Sequence, residues 1–172
     1  MGYTGGTIQS LALYVTTSTA YMYDRVTIEM ACTNQDQFNS TAFTPTTNMV
    51  QVYNSSNVNP TNNGWHVFNI SDYDWDGVSN LIIQICAQED NLGNVGSESV
   101  RYTTTSPAYR CMYYTSTTIA SCAQATGSRT TLRPNMRFSI CEETVSNPLY
   151  TWTPSSGLNS NTVANPTATP AT

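Results

Sequence analysis

The stretch Val26–Cys32, VTIEMAC, is the clearest indication of the fold class, because apolar and polar residues alternate in it from Val26 to Met30. A period of two residues places alternate side chains on opposite faces of an extended chain, so the stretch predicts a β-strand with one buried and one solvated face. Cys32 falls in step with Val26, Ile28 and Met30, which predicts a buried thiol that packs as a small apolar residue.

Similar runs recur along the chain, and turn-forming clusters of Asn, Gly and Pro separate them. Further strands are predicted near Ile8–Val15, Met49–Tyr53, Trp65–Ile70, Leu81–Cys86, Val100–Thr104, Tyr109–Tyr114 and Met136–Cys141. No segment carries the i, i+3, i+4, i+7 apolar spacing of an amphipathic helix. The sequence therefore predicts an all-β fold, an antiparallel β-sandwich that is jelly-roll-like.

The composition changes after Cys141. Residues 142–172 are rich in Pro, Ser, Asn and Thr, and only Leu149–Thr153 is predicted to form a strand there. So short a segment with one strand cannot bury a core of its own. We therefore predict a β-sandwich module in residues 1–141, followed in residues 142–172 by a linker and the first strand or strands of a second β domain.

The charge of the chain limits the classes of partner. Six Arg, no Lys, one His and eleven acidic residues give a net charge of -5. A chain with this excess of negative charge has little electrostatic attraction for phosphate groups, so nucleic acid is not an expected partner. Without Lys, a phosphate-loop lysine and Schiff-base chemistry are excluded. No apolar run approaches the roughly 20 residues needed to cross a bilayer, so no membrane insertion is expected.

Five cysteines are scattered through the chain, with no C-x-x-C pair and no His nearby, which is poor spacing for zinc. Disulfides are favoured over free buried thiols, although an odd number leaves one cysteine without a partner in this chain. Cys111 and Cys122 flank a short Thr- and Ser-rich stretch, and we predict a bridge between them.

Asp72, Asp74 and Asp76, followed by Gly77, match the first half of a calcium loop. An EF-hand is rejected, because its twelfth position, which needs a bidentate carboxylate, is Ile83 here. A looser structural Ca²⁺ site is one interpretation, since three carboxylates on the same side of an extended chain repel one another without a cation. The alternative is a turn in which Asp76 caps backbone amides and Gly77 takes a positive φ.

No catalytic constellation emerges from the sequence. His66 is the only histidine and lies inside a predicted strand, where a structural role is favoured over a general base. No G-x-S-x-G motif accompanies it, and the clustered aspartates lie too close in sequence to straddle a sugar ring by themselves. We therefore expect no enzyme activity.

Aromatic side chains suggest a binding role instead. Most Tyr and Trp residues are expected to fill the core or to form cross-strand pairs, as aromatic residues commonly do in sheets. Tyr73 and Trp75, which the sequence places on a turn, are the candidate contacts for a glycan.

Three blocks of sequence, taken in order, resemble a module of large proteins that Bacteroidota export through the type IX secretion system. The blocks are GGTIQSLALYV (5–15), GWHVFNISDYDWDGVSNLIIQIC (64–86) and RPNMRFSIC (133–141). The tail YTWTPSSGLNSNTVANPTATP resembles the start of an immunoglobulin-like repeat. The chain departs from the pattern in lacking the family's upstream segment and sorting domain, and in having Asp72-Tyr73-Asp74 where the family has a Pro-aromatic pair.

The resemblance implies an extracellular or cell-surface β module of an adhesin, filament, appendage or gliding protein, without catalytic residues. Its expected partners are neighbouring β domains of the same polypeptide or identical chains in an assembly. The alternative function is a carbohydrate-binding module of a secreted hydrolase, with a glycan as its partner.

Overall fold

The structure is a computed structural model that describes residues 5–18, 22–43, 48–60, 63–88, 98–116, 124–141 and 150–169. The chain divides into two compact units, Met1–Glu142 and Glu143–Thr172. In these described ranges the regular structure consists of strands, without a helix. No helix that is long and apolar enough to span a bilayer occurs in the described part of the chain.

All the strands belong to the first unit. In chain order they are β1 (Gly6–Thr17), β2 (Arg25–Thr33), β3 (Val50–Ser55), β4 (Gly64–Trp75), β5 (Asn80–Gln88), β6 (Ser99–Val100), β7 (Tyr102–Thr104), β8 (Cys111–Tyr113), β9 (Ser128–Thr130), β10 (Leu132–Pro134) and β11 (Met136–Cys141).

Two antiparallel sheets make the body of this unit. One has the order β11–β1–β4, with β6 also paired to β1, and the other has the order β3–β2–β5. The chain passes between the two sheets from β1 to β2, from β3 to β4 and from β4 to β5. Two small ribbons, β10–β7 and β8–β9, accompany them. The predicted all-β fold and antiparallel β-sandwich are confirmed.

The core lies between the two central strands, β1 and β2. Its largest fully buried side chains are Ile8, Leu11, Ile28 and Met30. Val26, Ile28 and Met30 all face inward, as their alternation predicts. Cys32 continues the series but is exposed, so its predicted burial is wrong. The reason is its place at the end of β2, opposite Leu81, where the sandwich reaches its margin.

The register of β1 shifts between Ile8 and Ser10 in its pairing with both neighbours. Against β11 the extra residue lies in β1, and against β4 the extra residues lie between Asn69 and Tyr73 of β4. The start of β1 requires glycine at Gly6, whose φ is +144°. A Cβ atom there would lie 2.5 Å from the carbonyl oxygen of Cys141 on the neighbouring strand. This close approach fixes the point at which β1 enters the sheet.

The second unit is held by local contacts. Leu158 and Ala168 form an isolated antiparallel bridge, and the Trp152 indole nitrogen donates to the Val163 carbonyl oxygen at 2.9 Å. A strand was expected over Leu149–Thr153, but residues 150–153 are not a strand, because the Trp152 amide bonds the Asn161 carbonyl instead of entering a ladder. Leu149 lies outside the described residues. The relation of this unit to an immunoglobulin-like domain stays a prediction.

Candidate functional site

The turn between β4 and β5 is organised by the carboxylate of Asp76. Its Oδ1 accepts hydrogen bonds from the backbone amides of Val78 (2.9 Å) and Ser79 (2.8 Å), and its Oδ2 accepts from the Ser79 hydroxyl (2.6 Å). Gly77 has a φ of +73°, in the left-handed region that glycine adopts without strain. Of the two interpretations of Asp76, the structure shows the turn.

Asp76→Asn is expected to lower the melting temperature near neutral pH and to reduce its dependence on acid. The hydrogen bonds from Ser79 and Val78 favour the ionised carboxylate and hold the pKa of Asp76 below its ordinary value of 3.8. A depressed folded-state pKa stabilises the protein above that ordinary value, and the stabilisation is lost as the pH falls through the folded-state pKa. Thermal unfolding of the wild type and Asp76→Asn from pH 2 to 7 measures this dependence of the melting temperature on pH. Equal acid dependence in the wild type and Asp76→Asn would contradict this role.

Asp72 and Asp74 lie on the exposed side of β4. Asp74 Oδ1 accepts a hydrogen bond of 2.8 Å from the hydroxyl of Thr7, its partner on β1. Across the described ranges, no group of three or more His, Cys, Asp or Glu side chains is gathered in a way that could hold a metal ion. The calcium site at Asp72, Asp74 and Asp76 therefore stays a prediction without added support.

Tyr73 and Trp75 belong to a strand, not to a turn, because β4 extends to Trp75. Both rings are partly buried against the core. The Trp75 indole donates to the Ser79 carbonyl oxygen at 2.8 Å, and the Tyr73 hydroxyl donates to the Cys32 sulfur at 3.6 Å. Burial and this contact raise the pKa of Tyr73 to about 12. Both rings thus pack at the end of the sandwich, and their polar atoms bond to neighbouring residues. A glycan contact at Tyr73 and Trp75 stays a prediction.

The cysteines differ from expectation. Cys86 is disulfide-bonded, whereas Cys32, Cys111 and Cys141 are free thiols. The predicted bridge between Cys111 and Cys122 is therefore wrong. Cys111 lies in β8, where its half-buried thiol faces the Met112 carbonyl oxygen at 3.7 Å. Cys122 lies outside the described residues.

Alkylation of the native protein is expected to modify Cys32 and Cys141 quickly and Cys111 slowly. The first two thiols are exposed, whereas burial shields Cys111 and raises its pKa, so less of the reactive thiolate is present. Peptide mapping by mass spectrometry after timed alkylation gives the rate at each site. A Cys111 rate equal to that of Cys141 would contradict the placement of β8.

His66 faces the core. Its ring meets the Phe68 ring edge to face, with 4.7 Å between the centroids. Burial lowers the pKa of His66, which favours the neutral imidazole. This environment agrees with a structural histidine.

The face of the β11–β1–β4 sheet that points away from the core, called the outer face below, carries an aromatic and cationic cluster. Tyr14 on β1 and Trp65 on β4 are register partners, and their rings meet edge to face at 5.4 Å. The guanidinium of Arg101 lies 4.2 Å from the Tyr14 ring centroid, and that of Arg137 lies 4.2 Å from the Trp65 ring centroid. This stacking holds both cations in fixed positions at the surface.

An apolar cleft opens between the edge strands β5 and β11. Its volume is about 330 Å³, and it is lined by Ile8, Trp75, Leu81, Phe138 and Ile140. In the described ranges β5 pairs only with β2, and β11 pairs only with β1. The inward-facing apolar side chains of both strands are only partly buried, unlike those of β1 and β2. At the opposite margin, β3 and β4 contact each other across the sandwich.

Sequence reasoning did not find the cluster or the cleft. Both depend on strand order and register, which place residues distant in sequence side by side. One signal was available for Arg137. It lies between the apolar residues Met136 and Phe138 in a predicted strand, so its side chain is expected on the opposite face, pointing outward.

Comparison of the chain with protein-family models, with curated proteins and with solved structures gives no significant match.

Proposed function

We propose that this chain is a non-catalytic structural or adhesive module of a large exported cell-surface protein, and that its edge strands take up strands from neighbouring β domains or identical chains. The observation that carries this proposal is the apolar cleft between β5 and β11. The resemblance of the three sequence blocks to type IX-exported modules supports the extracellular setting.

An edge strand presents backbone amide and carbonyl groups along its free side, and these groups accept an added strand. Here two such edges flank one cleft. Phe138 and Ile140 of β11 and Leu81 of β5 line it with apolar side chains. A strand with alternating apolar residues would gain main-chain hydrogen bonds from either edge and apolar contacts from the cleft, which is the chemistry of β-strand addition.

Gln84→Lys is expected to weaken self-association of the full chain without changing its melting temperature. Gln84 is exposed on β5, and a lysine on an edge strand opposes the approach of another strand. Sedimentation velocity across a range of protein concentrations measures the association. Thr17→Lys is the matched control, because Thr17 is exposed at the far end of the central strand β1. Equal association of the wild type and both variants would contradict assembly through β5.

A second candidate, a carbohydrate-binding module, rests on exposed tyrosines. Tyr102 is 56% exposed and Tyr113 is 52% exposed, which is unusual for large rings. Tyrosines that show their rings to solvent can bind sugars through apolar contact and a hydroxyl group. Saturable binding to one glycan in a panel of polysaccharides, lost in Tyr102→Ala or Tyr113→Ala, would favour this function over assembly.

A further inference from the structure

The outer face of the β11–β1–β4 sheet has two ends of opposite charge. One end carries Arg101 and Arg137, and the other carries Asp72 and Asp74. Asp72 and Asp74 alternate along β4 with Tyr73 and Trp75, which pack against the core, so the two carboxylates point away from it. Both ends therefore lie on the same surface.

The basic end is fixed by the cluster of Tyr14, Trp65, Arg101 and Arg137. Arg137 is opposite Ala12 on β1, and the Arg101 amide donates to the Tyr14 carbonyl oxygen at 2.8 Å. Neither guanidinium is paired with a carboxylate among the residues that the structure describes. Two of the six arginines of an acidic chain thus lie on one surface, without a carboxylate partner in the described ranges.

The acidic end lies at the start of β1, where Asp74 is opposite Thr7. Seven positions of β1 separate Thr7 from Tyr14, which at ~3.3 Å per residue is about 23 Å. The surface between the two ends is of low charge. It includes Val67, which is 52% exposed.

We propose that the outer face is the interface between two copies of this chain. A two-fold axis lying in the interface plane and crossing the strands near Ser10 brings the acidic end of each copy onto the basic end of the other. The contact is isologous, so each complementary pair forms twice. Flat sheet faces pack on one another in this way in sandwiches. The charges at the two ends select a second copy over an unrelated neutral surface.

This inference rests on the proposed structural function and names a partner surface for it. Face-to-face pairing uses a different surface from the cleft between β5 and β11, so one copy can use both. An interface held by exposed charges must also weaken as ionic strength rises.

The test exchanges the charges in the full chain. The basic-end variant is Arg101→Glu with Arg137→Glu, and the acidic-end variant is Asp72→Lys with Asp74→Lys. Each variant alone is expected to associate about a hundredfold more weakly than the wild type, because like charges then meet at both contacts. An equimolar mixture of the two variants is expected to restore association, since the exchanged ends complement each other.

Circular dichroism and thermal unfolding establish that each variant is folded. If a charge reversal prevents folding, Arg101→Gln with Arg137→Gln and Asp72→Asn with Asp74→Asn replace it, and each is expected to weaken association by about tenfold. Association unchanged in both charge variants would overturn the proposal, as would loss of association without rescue in the mixture. If association persists in the charge variants and is weakened by Gln84→Lys, the proposed function stands and the face-to-face interface is wrong.

Discussion

Replacement of Ile28 with alanine is expected to lower the free energy of unfolding by about 2–5 kcal/mol, the range for truncating a fully buried Ile. Ile28 lies at the middle of β2, between β3 and β5, and its side chain is fully buried in the core. The loss combines the apolar contacts of the removed carbon atoms with the cavity left between two sheets that cannot fully close. Denaturant unfolding of the full chain measures it.

Val78→Ala is the matched control, because Val78 is a β-branched apolar residue that is 91% exposed at the turn after β4. Its truncation is expected to change the unfolding free energy by no more than about 0.5 kcal/mol. Similar losses at Ile28 and Val78 would mean that the alternation in β2 does not point its apolar side chains into the core.

Gly6→Ala is expected to destabilise the protein by about 1–3 kcal/mol, the usual cost of forcing extra atoms into a close-packed site. Alanine at Gly6 must place its Cβ 2.5 Å from the Cys141 carbonyl oxygen, and it must also hold a φ of +144°. The strands β1 and β11 then separate locally, or the start of β1 leaves the sheet. The free energy of unfolding and the amide-exchange rates of Thr7 and Ile8 report the two effects.

Thr17→Ala, at the exposed far end of β1, controls for general effects of substitution on this strand. An unfolding free energy of Gly6→Ala within error of the Thr17→Ala value would contradict the close approach of β1 and β11.

Most of the fold follows from alternation alone. VTIEMAC and the runs near Ile8–Val15, Leu81–Cys86 and Met136–Cys141 are strands, because a buried face imposes a two-residue period that is visible in the sequence. The short strands Ser128–Thr130 and Leu132–Pro134 were missed, since they carry few apolar residues. Their pairing partners, not their own side chains, make them strands.

The end of β4 shows where local reasoning fails. The sequence ends this strand at Ile70, because Asp is disfavoured in strands and common in turns. In the structure Tyr73 and Asp74 pair with Ile8 and Thr7. The pairing is irregular between Asn69 and Tyr73, where four steps of β4 face two steps of β1, and Tyr73 points inward beyond it. Pairing with β1 thus outweighs the turn propensity of the aspartates. Tyr73, which was predicted to lie on a turn, lies in a strand at the edge of the core.

The candidate sites were predicted only in part. The role of Asp76 in the turn could be expected from its place before Gly77, because capping is a local interaction. The disulfide pairing could not be predicted, because the spacing of five cysteines does not determine which sulfur atoms lie close together in the fold. The cluster of Arg101, Tyr14 and Trp65 requires the register of β1 against β4, which the sequence does not specify.

Amide hydrogen exchange, followed at low and high protein concentration, tests whether the edges of this sandwich take up strands from neighbours. Dilute protein is expected to protect the central strands β1 and β2, while the amides on the free sides of β5 and β11 exchange quickly. Raising the concentration is expected to slow exchange in β5 or β11 and to leave β1 and β2 unchanged. Exchange in β5 and β11 that is independent of concentration, in a range where the chain sediments as an assembly, would contradict the claim.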